Sequence, residues 1–191
     1  MLKTLLVQNR SYRRFKQEPA PDLKTLQGLV ELARLAPSAS NQQPLSYVLV
    51  QDPKKRADVF SCLTWAGYLT GWGGPKEGEK PTAYIIILSN PKLNTKPGID
   101  VGLAAQTMLL GAQEKGFGGC LLGSVDRPRL QELLDLPQNL DIELVMALGT
   151  PGEEVRLTTV GSDGDIRYWR DENDVHFVPK RQAKEQIIAE F

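Results

Sequence analysis

The sequence predicts an α+β fold in which helices flank one mixed, mostly antiparallel β-sheet. Residues 83–88, AYIIIL, are apolar and largely β-branched on both faces, as expected for a strand at the centre of a sheet. Residues 142–149, IELVMALG, form a second run of this kind. Between the two, residues 100–115 are apolar on nearly every side of the helical repeat, which predicts a helix buried almost all round.

Three helices and one strand are predicted before the central strand. The second helix is the clearest, because Leu23, Leu26 and Val30 recur at helical spacing. It ends at Ala36, since a residue that precedes proline is displaced from the α-helical region. The predicted elements are helices over residues 2–8, 22–36 and 53–63 and a strand over residues 46–50.

Loops alternate with shorter elements in the rest of the chain. Residues 64–81 are rich in glycine, tryptophan and charge, which predicts a mobile surface loop. The buried helix is expected to begin at Asp100, a residue type that caps helix N-termini, and to end before Gly116. Residues 153–178 are polar and are expected to be irregular. The remaining predicted elements are strands over residues 120–123 and 142–149 and helices over residues 127–134 and 181–190.

Length and composition indicate one domain and argue against several kinds of partner. A chain of 191 residues predicts a single domain over residues 1–191. The 23 basic and 23 acidic residues cancel, so no overall field attracts nucleic acid or an anionic membrane. No stretch approaches the roughly 20 apolar residues of a membrane span. The N-terminus lacks a signal-peptide pattern, so a cytoplasmic protein is expected.

Few residues offer thiol or imidazole chemistry. With only Cys62, Cys120 and His176, neither a disulfide framework nor a metal site is expected. Cys120 has no histidine near it in the sequence and is expected to be structural. His176 is expected at the surface rather than as a general base. No side chain is therefore predicted to be catalytic.

Two polar motifs carry the functional signal. Residues 10–15, RSYRRF, place three guanidiniums and a hydroxyl just after a short helix. Arginine presents its donors in a fixed fork that suits a phosphate or an anionic ring. Residues 37–44, PSASNQQP, offer hydroxyl and amide groups suited to a polyhydroxylated chain. Taken singly, the first motif is more simply a solvated basic turn and the second a capped turn, so neither is specific by itself.

Together and in this order, the motifs resemble the nitroreductase family of FMN-dependent oxidoreductases. The resemblance extends over almost the entire chain and is weakest over residues 153–178. It implies a nitroreductase-like three-layer sandwich that is dimeric, with the helix over residues 100–115 at the dimer interface. The matching segments are RSYRRF at 10–15, PSASNQQP at 37–44, GIDVGLAAQTMLLGAQEKGFGGCLLGS at 98–124, LGTP at 148–151 and KRQAKEQI at 180–187.

The resemblance also implies which residues hold FMN. Arg10 and Ser11 would contact the flavin phosphate. Arg13 would reach the pyrimidine edge of the ring, where a positive charge stabilises the reduced flavin. Arg181, with Lys180, is implied as a second clamp on the phosphate.

Further contacts are implied from two other places. The backbone at Leu122 and Gly123 would lie against the ring, near its reactive nitrogen, and the glycines at 118, 119 and 123 would allow this close approach. The family often has an arginine where this chain has Asn9, which shifts phosphate binding toward the other end of the site. The partner subunit would contribute Pro37, Ser38, Ser40 and Asn41.

The activity implied is two-electron transfer from NADH or NADPH through FMN to a small acceptor such as a nitroaromatic or a quinone. The chain would act as a homodimer that shares the flavin at its interface. An alternative is a flavin-binding module, such as a flavin store, a sensor or a flavin-consuming relative, without nicotinamide-driven turnover. A nucleic-acid or scaffold protein fits poorly with zero net charge. Trp65, Tyr68 and Trp72 either form a lid over the substrate or pack under a loop.

Overall fold

The computed structural model describes residues 2–191, and Met1, which the single-domain prediction includes, lies outside the described residues. Within these residues the chain forms five α-helices and eight strands. The helices are α1 (Leu2–Gln8), α2 (Leu23–Ala33), α3 (Pro53–Ser61), α4 (Gly98–Glu114) and α5 (Arg127–Leu133). The strands are β1 (Phe15–Lys16), β2 (Leu45–Val50), β3 (Ala83–Ser89), β4 (Gly118–Leu122), β5 (Asp141–Pro151), β6 (Val155–Thr159), β7 (Trp169–Arg170) and β8 (His176–Lys180).

The main sheet contains five strands, β1 to β5, and every pairing in it is antiparallel. β3 pairs with β5 along its length and with β2 on its other edge. β4 pairs with residues 145–149 of β5, and β1 pairs with Thr150 and Pro151 at the end of the same strand. The α+β prediction with a mostly antiparallel sheet is confirmed.

Successive residues of β3 face two hydrophobic cores, one on each side of the main sheet. Tyr84, Ile86 and Leu88 belong to the core that α3 and α5 cover. The intervening residues belong to the core beneath α2 and α4, which includes the fully buried Met108. Every residue of β3 is buried, as the sequence predicts for a central strand. The result is the predicted three-layer sandwich.

Two helix boundaries differ from the prediction. α4 begins at Gly98, so Asp100 lies inside the first turn and is not the N-cap. Its carboxylate instead accepts hydrogen bonds from the backbone N–H of Ala39 at 2.8 Å and from Ser38 Oγ at 3.2 Å. α2 ends at Ala33 rather than Ala36, because the residues after it close a tight turn.

The prediction for the C-terminal part is wrong in two places. Residues 153–178 are not irregular throughout: they contain β6, β7 and the start of β8, and β8 pairs in parallel with β6 and antiparallel with β7, which makes a second sheet. Residues 181–190 do not form a helix, and only a single 3₁₀ turn, Ala183–Glu185, is present. Ile187 and Ile188 are exposed, and a short helix without packing partners is only marginally stable.

Residues 64–81 contain neither a helix nor a strand, in agreement with the predicted loop, and the mobility of this loop stays a prediction. Trp65 is nevertheless buried, and its ring lies 5.8 Å from that of Phe60, which favours packing over a lid for this residue. No helix within residues 2–191 combines the length and the apolar character needed to cross a bilayer.

Candidate functional site

Four of the predicted cofactor residues lie around one cavity. Arg10, Ser11 and Arg13 line it from the loop between α1 and β1, and Lys180 lines it from the end of β8. The cavity measures about 370 Å³, within the roughly 300–1,000 Å³ typical of small-molecule sites. We call it the cationic cavity. Its other walls include Gln106 and Leu109 of α4, Leu121 of β4, and Tyr168 and His176.

The cationic side chains of the cationic cavity lack carboxylate partners among the described residues. Within residues 2–191, no Asp or Glu side chain forms an ion pair with Arg10, Arg13 or Lys180, whereas the neighbouring Arg14 pairs with Asp174 at 3.1 Å. Burial lowers the pKa of Arg10, and its Nε is buried without a hydrogen-bond partner. The cavity therefore offers guanidinium and ammonium donors to an anionic ligand.

Arg13 contacts an imidazole and an aromatic ring. Its Nη1 lies 3.2 Å from Nε2 of His176, and its Cζ lies 4.8 Å from the ring centroid of Tyr168. His176 is fully buried, so the prediction that it lies at the surface is wrong. Burial first, and then the charges of Arg13 and Arg170, lower the pKa of His176 to about 4. The imidazole is therefore neutral at pH 7.

A buried carboxylate fixes the backbone of the arginine motif. Glu153 Oε1 accepts hydrogen bonds from the backbone N–H groups of Arg13 and Arg14, the latter at 3.1 Å. The other carboxylate oxygen is paired with Arg170 of β7. Tyr12 adds a backbone hydrogen bond to Gly119 of β4, at 3.0 Å. The motif is thus attached both to the second sheet and to the main sheet.

Residues 37–44 lie at a different cavity, of about 200 Å³, which Pro37 and Ser38 line together with Tyr47 and Asp100. The loop is held by the contacts of Asp100 with Ser38 and Ala39. Three non-glycine residues in it have left-handed backbone angles, with φ between 48° and 53°, which costs energy that this anchoring must offset. These residues are Ser40, Asn41 and Gln43.

The single chain therefore separates the predicted cofactor residues into two groups. No residue lines both cavities, although α4 contributes to each: Asp100 and Ala104 to the smaller one, Gln106 and Leu109 to the cationic cavity. Neither cavity of the single chain therefore brings together all of the predicted cofactor residues.

β4 reaches the cationic cavity with the side chain of Leu121, whereas the side chain of Leu122 is buried in a hydrophobic core. Gly123 is exposed, and a Cβ there would meet only Leu144, at 3.6 Å. Gly119 has a different role from the predicted approach to a flat ring. A Cβ on it would lie 2.7 Å from the carbonyl oxygen of Ala147, so its small size is needed for packing within the protein.

Arg181 follows β8 in an exposed position, and its side chain makes none of the hydrogen bonds or ion pairs found within residues 2–191. Tyr168 and His176 line the cationic cavity but were not predicted from the sequence. They lie in residues 153–178, where no periodic pattern indicates a strand, so no local signal points to them. Among the described residues, no cluster of three or more His, Cys, Asp or Glu side chains could hold a metal ion.

The sequence model of the nitroreductase family matches residues 6–66 and 78–150, well over half of the chain. The chain belongs to the nitroreductase family. The match covers Arg10, Ser11 and Arg13, together with the loop over residues 37–44, and it ends before β6. The cationic cavity thus lies partly inside and partly outside the matched region.

Individual relatives of this chain are distant in sequence but match most of its length. An iodotyrosine deiodinase of Thermotoga neapolitana is 26% identical over 80% of this chain and 90% of its own length. An NADPH-flavin oxidoreductase of Vibrio harveyi is 28% identical over 80% of this chain and 66% of its own length. The crystal structure of a nitroreductase family protein from Streptococcus pneumoniae superposes with a TM-score of 0.74, at 16% identity and full coverage of both chains. That last likeness concerns the fold alone.

Proposed function

We propose that this chain is an FMN-dependent oxidoreductase that transfers two electrons from NADH or NADPH to a small acceptor such as a nitroaromatic or a quinone. The observation that carries the proposal is the cationic cavity, in which Arg10, Arg13 and Lys180 have no carboxylate partner among residues 2–191. Membership of the nitroreductase family supports it. So does the relative from Vibrio harveyi, which is named as an NADPH-flavin oxidoreductase.

The residues of the cavity fit the phosphate of FMN. Arg10 has an unpartnered Nε, Ser11 has an exposed hydroxyl, and Lys180 adds an exposed ammonium group. All three are donors, and charge-assisted hydrogen bonds to a phosphate are the strong ones. Arg181 follows directly and is the second cation proposed for this end of the site.

Arg13 is proposed to meet the ring of the flavin rather than its phosphate. It is half-buried, its side chain lies against His176 and Tyr168, and no carboxylate among residues 2–191 forms an ion pair with it. A bound flavin supplies the two-electron chemistry, and the protein supplies binding, orientation and charge. The backbone at Leu122 and Gly123, at the exposed end of β4, is proposed to lie against the ring.

A homodimer would unite the two groups of residues that the single chain separates. In this proposal Pro37, Ser38, Ser40 and Asn41 of one subunit complete the site formed by the cationic cavity of the other. The exposed apolar side chains of α1 and α4, among them Leu6 and Ile99, are suited to burial in such an interface. Light scattering after size exclusion is expected to give a dimer, and a monomer that binds FMN tightly would contradict the shared site.

The cofactor is tested on the purified protein. We expect a yellow protein that releases FMN, not FAD, on denaturation, because the donors of the cationic cavity suit a terminal phosphate. A colourless protein that cannot be reconstituted with FMN would end the proposal. We then expect anaerobic NADH or NADPH to bleach the bound flavin rapidly. Persistent colour would instead favour the flavin-binding module without turnover.

Acceptors are tested by reoxidation of the reduced protein. A screen that contains a nitroaromatic, a quinone and an iodinated phenol covers the proposed class together with the chemistry named for the relative from Thermotoga neapolitana. We expect the nitroaromatic or the quinone to restore the flavin spectrum fastest.

A further inference from the structure

His176 lies where the second sheet meets the cationic cavity. It is the first residue of β8, and its backbone N–H donates to the carbonyl of Glu154 at 2.9 Å. Its side chain is fully buried and lines the cavity. The ring has one polar contact, with Arg13 Nη1 at 3.2 Å, and it lies 5.2 Å from the ring of Tyr168. The imidazole is therefore built into the wall beside a cofactor residue.

The contact with Arg13 determines the protonation of the imidazole. A guanidinium only donates hydrogen bonds, so Nε2 of His176 must accept. The single proton of the neutral ring is then on Nδ1, which is buried and has no partner among the described residues. Burial and the adjacent Arg13 lower the pKa of this ring, which keeps it neutral and able to accept.

We infer that His176 is a positioning residue for Arg13: its neutral imidazole holds the guanidinium at the wall of the cationic cavity, ready for the ligand. The inference rests on the proposed FMN site, because the ligand is what gives the position of Arg13 its use. A long arginine side chain that is ordered in advance loses less conformational entropy when the ligand binds. No carboxylate among residues 2–191 pairs with the Arg13 side chain, so its side-chain acceptor is the imidazole, beside the carbonyl oxygen of Ser11 at 3.3 Å.

The other charged and titratable groups around His176 are already engaged. Glu153, which precedes β6, binds the backbone of Arg13 and pairs with Arg170 of β7. Tyr168 stacks beneath the Arg13 guanidinium. A proton on His176 would add a second positive charge against Arg13 and remove one of the two acceptors of its Nη1, leaving the carbonyl oxygen of Ser11 at 3.3 Å. The position of Arg13 thus depends on the ring being neutral.

Two substitutions separate the acceptor from the packing of the ring. His176→Gln keeps an acceptor oxygen near the position of Nε2, whereas His176→Phe keeps a flat ring without an acceptor. We expect His176→Phe to raise the dissociation constant of FMN at pH 7 roughly tenfold, the size of effect that loss of one hydrogen bond can have. We expect the dissociation constant of His176→Gln to stay within about threefold of that of wild type. Quenching of flavin fluorescence gives the dissociation constants, and melting of the apo-protein reports the fold.

A double-mutant cycle tests whether His176 acts through Arg13. In an Arg13→Met background, adding His176→Phe is expected to cause no further loss of FMN affinity, because there is no guanidinium left to position. A purely structural role would weaken binding by the same factor in both backgrounds. That result would overturn the inference while leaving the proposed function intact. So would equal FMN affinities of wild type, His176→Gln and His176→Phe.

The apo-protein provides a readout that does not depend on FMN. Nitrogen-15 NMR of the single histidine is expected to show the Nδ1-protonated tautomer in wild type and to change in Arg13→Met. A wild-type signal from the Nε2-protonated tautomer would overturn the inference, even where His176→Phe fails to fold. Failure of the wild-type protein to bind FMN would overturn the proposed function. The contact between Arg13 and His176 would then have no role in binding that ligand.

Discussion

Glu153 and Arg170 form an ion pair in which Oε2 and Nη2 lie 2.7 Å apart, and both side chains are almost excluded from solvent, at 2% and 9% exposure. The guanidinium of Arg170 also lies 4.4 Å from the ring centroid of Trp72, in the loop over residues 64–81. Because Glu153 at the same time accepts the backbone N–H groups of the arginine motif, the ion pair connects this motif, β7 and the loop over residues 64–81.

Glu153→Gln is expected to destabilise the protein strongly. The substitution leaves the charge of Arg170 buried and uncompensated, and breaking a buried pair in this way typically costs about 3–5 kcal/mol. Denaturant unfolding of the apo-protein measures the loss. The matched control is Glu154→Gln in the exposed pair with Arg156, where a loss below about 1 kcal/mol is expected. Equal losses in the two variants would show that the buried pair is not a special contact.

Lys180→Ala and Arg181→Ala compare two neighbouring cations at the phosphate end of the proposed site. Lys180 lines the cationic cavity of its own chain, whereas Arg181 is exposed beyond it. We expect Lys180→Ala to weaken FMN binding by tenfold or more, the factor for a charge-assisted hydrogen bond of about 1.5–3 kcal/mol. Titration calorimetry gives both constants. A larger loss for Arg181→Ala would assign the clamp to Arg181, as the family resemblance implies.

The buried imidazole makes stability depend on pH. The pKa of His176 is about 4 in the folded protein and about 6.5 when exposed, so the unfolded chain takes up this proton first. The stabilisation is complete above about pH 6.5 and is lost as the pH falls toward 4. His176→Gln removes this titration but keeps all the carboxylates. We therefore expect the unfolding free energy of wild type minus that of the variant to decrease as the pH is lowered from about 6.5 to about 4. A difference that stays constant over this range would rule out the lowered pKa of His176.

Neither cysteine is expected to take part in electron transfer. Burial raises the pKa of the Cys62 and Cys120 thiols, so both are protonated at pH 7 and poor nucleophiles. A Cys62→Ser, Cys120→Ala variant is expected to be reduced by NADH or NADPH at a rate within roughly tenfold of wild type, about 1.4 kcal/mol in barrier. Anaerobic stopped-flow absorbance measures this. A folded, FMN-loaded variant slowed by several orders of magnitude would point to thiol chemistry.

The sequence predicted best those elements whose burial follows from the pattern of their own residues. β3 is apolar on both faces and is buried on both. The start of α4 was missed because the carboxylate of Asp100 is engaged by Ala39, 61 residues away, and not by its own helix. The helix expected over residues 181–190 has suitable local propensity, but no described surface packs against Ile187 and Ile188.

In the candidate site, too, residues that are close together in the sequence could be predicted, whereas a contact between distant residues could not. Arg10, Ser11 and Arg13 could be proposed from the sequence because they stand together in one motif, and in the structure they line one cavity with Lys180. His176 was missed because its partner Arg13 is 163 residues away and because β6 and β8, which are partly exposed, lack a strong alternation. The parallel pairing of β6 and β8 requires a long connection between the two strands, and no local sequence pattern predicts such a pairing.

The cationic cavity is lined from both sides of the boundary of the family match. Arg10, Ser11 and Arg13 lie within the matched residues, whereas Tyr168 and two residues of β8, His176 and Lys180, lie beyond residue 150. Substitutions in the second group can therefore alter the lining of the cavity without touching β3 and β5, on which the two hydrophobic cores are built.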